Sequence, residues 1–278
     1  MTLMKKLYQP IFAIFILFGM LSLQACNKSN NNGKASVQVH MTDSPANFDA
    51  LIVNITRIEA HTSGASENDG WHVISDKPIQ VNIMNLTNGK TQLLGSNQLK
   101  ADNYDEIRLI LGTGNKVIIG GQESTLTVPS GMQSGIKIKT NMNLSAGQTF
   151  NLLLDFNASS SVTLTGTLNY VLKPVINVVN YNEEGNIKGT ILPVKAQAAL
   201  IASSSQDTSA TYADTTSGKF KIVGLKAGKY NVHVYSNSSA YNDTTLTGVD
   251  VNANSDTDLG SITLSTKDTS STMMSSNN

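Results

Sequence analysis

The chain has 278 residues with 20 basic and 20 acidic side chains, so it carries no net charge with histidine neutral. Only 14% of its residues are charged, and Arg57 and Arg108 are its two arginines. That excludes the clustered Lys/Arg footprint of a nucleic-acid-binding protein and speaks against electrostatic phosphate recognition. Asn, Ser, Thr and Gly are abundant instead, a composition of exported, turn-rich β-proteins.

The first ten residues carry Lys5 and Lys6 and no acid. Ile11 to Leu23 is a near-continuous apolar run, and Leu23-Gln24-Ala25-Cys26 follows it. Basic, apolar and small residues in that order form a secretory signal peptide over residues 1–25. The apolar run is shorter than the roughly 20 residues that cross a bilayer. The tetrapeptide resembles a bacterial lipobox, with Gln24 standing where a small residue is commoner. The resemblance implies cleavage before Cys26 and acylation (palmitate-type) of its sulfur and new amino group, which makes Cys26 the lipidation residue. Each buried CH₂ contributes about 0.8 kcal/mol, so several chains make a durable membrane anchor. Cys26 is also the one cysteine, and a thiol-free remainder suits an oxidising compartment. Losing two lysines with the signal moves the formal charge to −2. Residues 26–35 read as a lipidated flexible spacer. Bacteroidetes lipoproteins of the outer face often carry an acidic run after the cysteine. Asn27-Lys28-Ser29-Asn30 stands here instead and leaves the face of the outer membrane open.

From Val37 the hydrophobic period is two: Val37, Val39 and Met41 alternate with Gln38, His40 and Thr42. Thr42-Asp43-Ser44-Pro45 is a turn, because Pro45 biases Ser44 away from helix and Asp and Ser bond the following backbone. Strand patterns recur at 51–58, 71–74, 79–84, 106–111, 116–119, 124–128, 136–139, 150–154, 162–164 and 168–179. Only 46–50 and the segment near 86–99 read as holding a helical turn or two. Many short strands at this spacing mean a sandwich or barrel.

Val39-His40-Met41-Thr42-Asp43-Ser44-Pro45, Asn54-Ile55-Thr56-Arg57-Ile58, Gly70-Trp71, Tyr104-Asp105-Glu106-Ile107-Arg108-Leu109, Leu154-Asp155-Phe156 and Leu172-Lys173-Pro174-Val175 together resemble the DUF4382 domain. The resemblance implies a β-sandwich over residues 36–181, in secreted or lipid-anchored proteins, and supplies no catalytic residues. Asn182-Glu183-Glu184-Gly185 marks a boundary. Residues 184–265 follow with strands at 186–192 and 196–202 and a stretch in which Phe220, Ile222, Leu225, Gly228 and Tyr230 recur. That stretch resembles the carboxypeptidase regulatory-like (transthyretin-like) domain, a seven-strand sandwich without catalytic groups. Residues 266–278 form a Ser/Thr-rich tail that reads as disordered.

No chemistry stands out from this background. His40, His61, His72 and His233 share no ligand spacing and read as solvated strand residues. Ser134-Gly135-Ile136-Lys137 matches S-x-x-K but runs into a strand, whereas that motif needs a helix. Asp43, Asp49, Asp105, Glu106 and Asp155 are the acids a hydrolase would draw on. Asp250, Asn252, Asn254 and Asp256 open like a calcium loop, yet Ser255 replaces its glycine and Ser261 its glutamate. Lys188 lies where pilin-like modules form a Lys–Asn cross-link, with no suitable buried acid evident. Asp214-Thr215-Thr216 and Asp243-Thr244-Thr245 resemble the Bacteroidetes O-glycosylation sequon. Trp71, Tyr104 and Tyr170 suit either sugar stacking or a sandwich core.

The sequence thus describes an all-β chain: two β-sandwich domains after a lipoprotein signal peptide. The expected partners are the membrane, through the lipid, and a glycan or envelope protein; no nucleic acid and no cofactor are expected. A binding or structural module leads. A periplasm-facing accessory subunit and a hydrolase using first-domain carboxylates are the alternatives.

Overall fold

The computed structural model describes residues 33–129, 134–166, 169–180, 184–205 and 207–267. The signal peptide, Cys26, Asn182, Glu183 and residues 268–278 lie outside them. Among the described residues no helix is long and apolar enough to cross a membrane.

The first domain holds β1 (Lys34–Ser44), β2 (Ala50–Thr62), β3 (Trp71–Ser75), β4 (Ile79–Asn82), β5 (Gln92–Lys100), β6 (Asn103–Leu111), β7 (Lys116–Ile119), β8 (Gln122–Thr127), β9 (Ile136–Asn143), β10 (Thr149–Asn157), β11 (Val162–Thr165), β12 (Asn169–Leu172) and β13 (Ile176–Asn180). One sheet runs β13-β10-β1-β5. The other runs β11-β12-β8-β7-β2-β6-β9, with β3 and β4 also paired to β2. β1 lies parallel to β10 and antiparallel to β5. Alternation sets the core: Val37, Val39 and Met41 from β1 meet Leu51, Val53, Ile55 and Ile58 from β2, and all are buried. The second domain holds β14 (Gly185–Leu192), β15 (Ala199–Ser203), β16 (Thr208–Tyr212), β17 (Lys219–Leu225), β18 (Gly228–Tyr235), β19 (Thr244–Val251) and β20 (Asp256–Thr263). Its sheets are β17-β14-β20 and β16-β15-β18-β19, closed over a separate core from Ile187 to Leu264. The expected all-β class with two domains is what the chain adopts.

Several local expectations give way. β1 starts at Lys34, inside the stretch read as spacer, and runs on through Thr42–Ser44, which were read as a turn. The helical turns expected at 46–50 and 86–99 are absent: the second segment is mostly β5, and the turn sits earlier, as a 3₁₀ turn at Ile83–Leu86. Asn82 fixes that turn by accepting the Met84 N–H at 3.2 Å. The long strand expected over 168–179 breaks at Lys173-Pro174-Val175, because Pro174 has no N–H to give a ladder. A short helix, α1 (Ala158–Ser161), braces the break: Ser161 accepts the Val175 N–H on its hydroxyl at 2.9 Å and the Lys173 N–H on its carbonyl at 2.8 Å. β16 and β19 carry no strong apolar alternation and escaped the sequence reading.

The two sandwiches meet through the turn after the 3₁₀ segment. Thr42 Oγ1 lies 3.0 Å from the carbonyl oxygens of both Leu86 and Lys90 and so fixes that turn to β1. Asn88, left-handed at φ 61°, then reaches three places in the second domain. Its N–H donates to Thr211 Oγ1 (3.1 Å), its side-chain amide donates to the Lys219 carbonyl (3.1 Å), and its side-chain oxygen accepts the Lys221 N–H (2.6 Å). Gly89, at φ +74°, packs so close to Lys221 that a Cβ would lie 3.0 Å from it.

Asn88→Gly keeps the left-handed backbone and removes only the two side-chain bonds. It is expected to destabilise the protein by about 1–3 kcal/mol in denaturant unfolding, the scale of hydrogen bonds lost at a partly buried seam. A midpoint identical to wild type would show that the seam does not depend on Asn88.

Candidate functional site

The outer face of the larger sheet collects the chain's two arginines. On β2, Arg57, Glu59 and His61 project outward in sequence steps of two. On β6, Arg108 lies directly opposite Glu59, and Lys137 of β9 lies opposite Arg108. Glu59 is 3% exposed. Its two oxygens each face an arginine Nε: Arg57 at 2.8 Å and Arg108 at 2.5 Å. A buried carboxylate without partners would carry a desolvation cost of several kcal/mol. Two guanidinium groups offset it here.

Trp71 locks the same face. The Arg108 guanidinium carbon lies 4.1 Å from the indole centroid, Lys137 Nζ lies 5.7 Å from it, and the His61 ring packs at 4.9 Å. The indole N–H donates to the Glu67 carbonyl at 2.9 Å, while the Glu67 carboxylate pairs with Lys137. His61 is buried, not solvated as expected. Its Nδ1 lies 3.2 Å from Asp105 Oδ1 and its Nε2 lies 3.1 Å from the Ser66 carbonyl oxygen. Gly70 makes this possible, since a Cβ there would collide with the imidazole. Trp71 is therefore enclosed by cations and His61, and Tyr104 is a core residue at 1% exposure. Neither offers a bare ring for sugar stacking. Tyr170 is half-buried and packs against the core.

A second arrangement sits at the ends of the parallel pair β1 and β10. Asp43 is 4% exposed, accepts the Ala158 N–H at 3.2 Å on Oδ1, and has no partner on Oδ2 among the described residues. Burial pushes its carboxyl up to about 8; the Ala158 and Ser44 N–H groups pull it down and the Asp155 charge pushes it further up. Asp155 is raised too, again mainly by burial, although the Ser44 hydroxyl donates to both its oxygens (3.2 and 3.3 Å) and Asn177 bonds it. Two buried carboxyls, one of them short of donors, thus lie near each other at the end of this strand pair, Asp43 on the core side and Asp155 on the opposite side.

The other acids named from the sequence are dispersed. Asp49 accepts the Gly121 N–H, Asp105 holds His61, and Glu106 pairs with Lys139 at 2.8 Å. Two grooves, about 360 and 370 Å³, are lined chiefly by residues of β9, β10 and β13 and by neither Asp43 nor Asp155. Among the described residues no three His, Cys, Asp or Glu side chains gather into a metal site. Asp250 pairs with Lys229 at 2.7 Å, whereas Asp256 faces Lys221 at 3.1 Å and Lys188 at 3.5 Å, so the two ends of the calcium-like segment serve different lysines. Lys137 of the S-x-x-K match lies on β9, not a helix. Thr215, Thr216, Thr244 and Thr245 are exposed. Sequence reading missed the Arg57–Glu59–Arg108 arrangement. Its one signal was an acid two residues after an arginine on β2.

Fold and site together define a two-domain all-β protein with a polar, ion-paired sheet face. Residues 34–174 match the family model described as "Domain of unknown function (DUF4382)", more than half of the chain. The protein belongs to the DUF4382 family. Residues 183–259 match the model "Polysaccharide lyase family 4, domain II", where a carboxypeptidase regulatory-like domain was expected. No curated protein matches. Among solved structures, the shaft pilin SpaA of Lactobacillus rhamnosus GG is 10% identical over 85% of this chain and 98% of the pilin, with TM-score 0.22. A fimbrial protein from Bacteroides ovatus ATCC 8483 is 9% identical over 83% of this chain and 50% of its own, with TM-score 0.25. The Bacillus anthracis TIE protein is 10% identical over 83% of this chain, with TM-score 0.22, and this chain spans 34% of its length. At these scores the likenesses carry no functional argument.

Asp43 sets a pH dependence. Its folded value lies above the ordinary 3.8, so the folded state holds the proton longer. Its contribution to stability is full below about pH 4 and is lost as pH climbs toward 8, with a slope of at most about 1.4 kcal/mol per pH unit for one proton. His40, lowered by burial, acts with the opposite sign, but only below its ordinary 6.5. Between pH 6.5 and 8 stability is therefore expected to fall as pH rises, and Asp43→Asn to flatten that fall. Equal slopes for both proteins in denaturant titrations at four pH values would assign the dependence elsewhere.

Proposed function

We propose that this protein is a non-catalytic, lipid-anchored module of the cell envelope. Acyl chains on Cys26 hold it in the outer membrane, and its two sandwiches meet a glycan or protein partner. The observation that carries the reading is the order of the N-terminal segment: two lysines, an apolar run, then Leu23-Gln24-Ala25-Cys26. The geometry of the domains is compatible with it. Asn88 ties the second sandwich to the first, so a tether at the N-terminus would present both together. The acids that a hydrolase would require are shared among a buried strand end, a histidine and a lysine, rather than facing each other across a groove. The non-catalytic reading accords with that dispersal.

Cys26→Ser is expected to move the protein from the membrane pellet to the soluble fraction after cell lysis. A variant that still pellets quantitatively would overturn the lipid anchor. Protease treatment of intact cells, followed with an antibody to the second domain, assigns the face: digestion before lysis means the exterior, and digestion only after lysis means the periplasm.

A further inference from the structure

We propose that Arg57 and Arg108 form a binding site for the carboxylate groups of an acidic glycan, a uronate-type sugar chain. The proposal rests on the reading of the protein as a binding module and gives that module its site.

The argument begins with which nitrogens are used. Both arginines meet Glu59 through Nε, and their terminal nitrogens make no hydrogen bond to a described residue. The outer edges of two guanidinium groups, the part that matches a planar carboxylate in a bidentate manner, are left for a ligand. The local charges are matched: Glu59 and Glu67 lie against Arg57, Arg108 and Lys137, and Asp105 lies against His61, so recognition would rest on the geometry of the guanidinium edges and not on excess charge. Arg57 is the accessible member, with a side chain 46% exposed, while Arg108 is 22% exposed and held over Trp71. Because Glu59 and Trp71 fix these groups during folding, a ligand meets donors already in place and less ordering entropy is lost on binding.

The surroundings choose a sugar acid over an acidic protein. Asn54 and Thr56 project beside Arg57 from β2, and Gln80 of β4 donates to Asn54 at 3.0 Å. These amides and hydroxyls suit a polyhydroxylated ligand. A protein partner would want an apolar anchor at the centre of the patch. The large exposed apolar residues are Leu93, Leu164, Val175, Leu192 and Tyr235, and β2, β4, β6 and β9 carry none of them.

The test titrates the full chain in detergent, by calorimetry, with three probes: an oligogalacturonate, its fully methyl-esterified form and poly-L-glutamate. The oligogalacturonate is expected to bind at least about tenfold more tightly than either of the others, since only it combines free carboxylates with a sugar backbone. Arg57→Ala is expected to weaken that binding about tenfold or more; because Arg57 also pairs with buried Glu59, the variant is titrated below its own melting temperature, on protein shown by circular dichroism to be folded. Arg57→Lys, which keeps the charge and loses the planar fork, should restore only part of it. The site is overturned by no binding of the oligogalacturonate, by equal binding of its ester, by indifference to Arg57→Ala, or by a preference for poly-L-glutamate, which would mean a protein partner. The membrane fractionation of Cys26→Ser reports on the tether independently. Failed titration with an intact anchor refutes this site alone, and successful titration without an anchor refutes the tether alone.

Discussion

The structure depends on one strand. β1 is flanked by β10 and β5, so it is the strand around which the smaller sheet of the first domain is laid. Its inward side chains, from Ala35 to Met41, are almost completely buried. At its last three residues each side chain then takes hold of a different element. Thr42 braces the turn that carries Asn88, Asp43 accepts an N–H at the start of the short helix, and Ser44 donates to Asp155 on β10. A one-residue slip of β1 would exchange Asp43 for its neighbours on the inner face and detach all three at once. The parallel register with β10 is thus tied to the domain seam through the Thr-Asp-Ser stretch.

Charge is scarce in this chain, and the first domain treats its buried acids in two ways. Glu59 and Glu106 lie on the outward side of their strands, where cations from neighbouring strands reach them: Arg57 and Arg108 for one, Lys139 for the other. Asp43 lies on the inward side, where no cation of the described residues pairs with it and the Ala158 N–H donates to it. Neutralisation is the cheaper solution for such a group, which is why its carboxyl keeps its proton to about pH 8. For these three acids the side of the strand decides which solution the carboxylate receives.

That same parity explains how much was legible beforehand. Apolar alternation at Val37, Val39 and Met41, or at Phe220 and Ile222, announced strands and the all-β class, and ordered motifs announced the family. What alternation cannot show is which strand lies beside which. Glu59 and Arg108 are 49 residues apart in sequence and become neighbours only through the β2–β6 register. His61 reads as a solvated residue until β3 brings Trp71 against it. The 86–99 segment reads as a weak helix because β5 is an edge strand with exposed polar positions, and its apolar residues are too few to declare a period of two. The Ser44–Asp155 hydrogen bond is likewise a product of the parallel β1–β10 register, which sets Thr42 opposite Asp155 and Ser44 opposite Asn157.

These registers also bear on whether the protein transforms a ligand or holds one. General acid–base chemistry needs two titratable groups facing one reacting atom, in a cleft that excludes water. The acids that burial raises, Asp43 and Asp155, are enclosed at the end of the β1–β10 pair, and the two grooves along β9 and β13 are not lined by them. The arginines on the large sheet are held in orientation by a buried glutamate. Guanidinium groups stay protonated throughout the physiological range, so they recognise charge and geometry and do not exchange protons with a substrate.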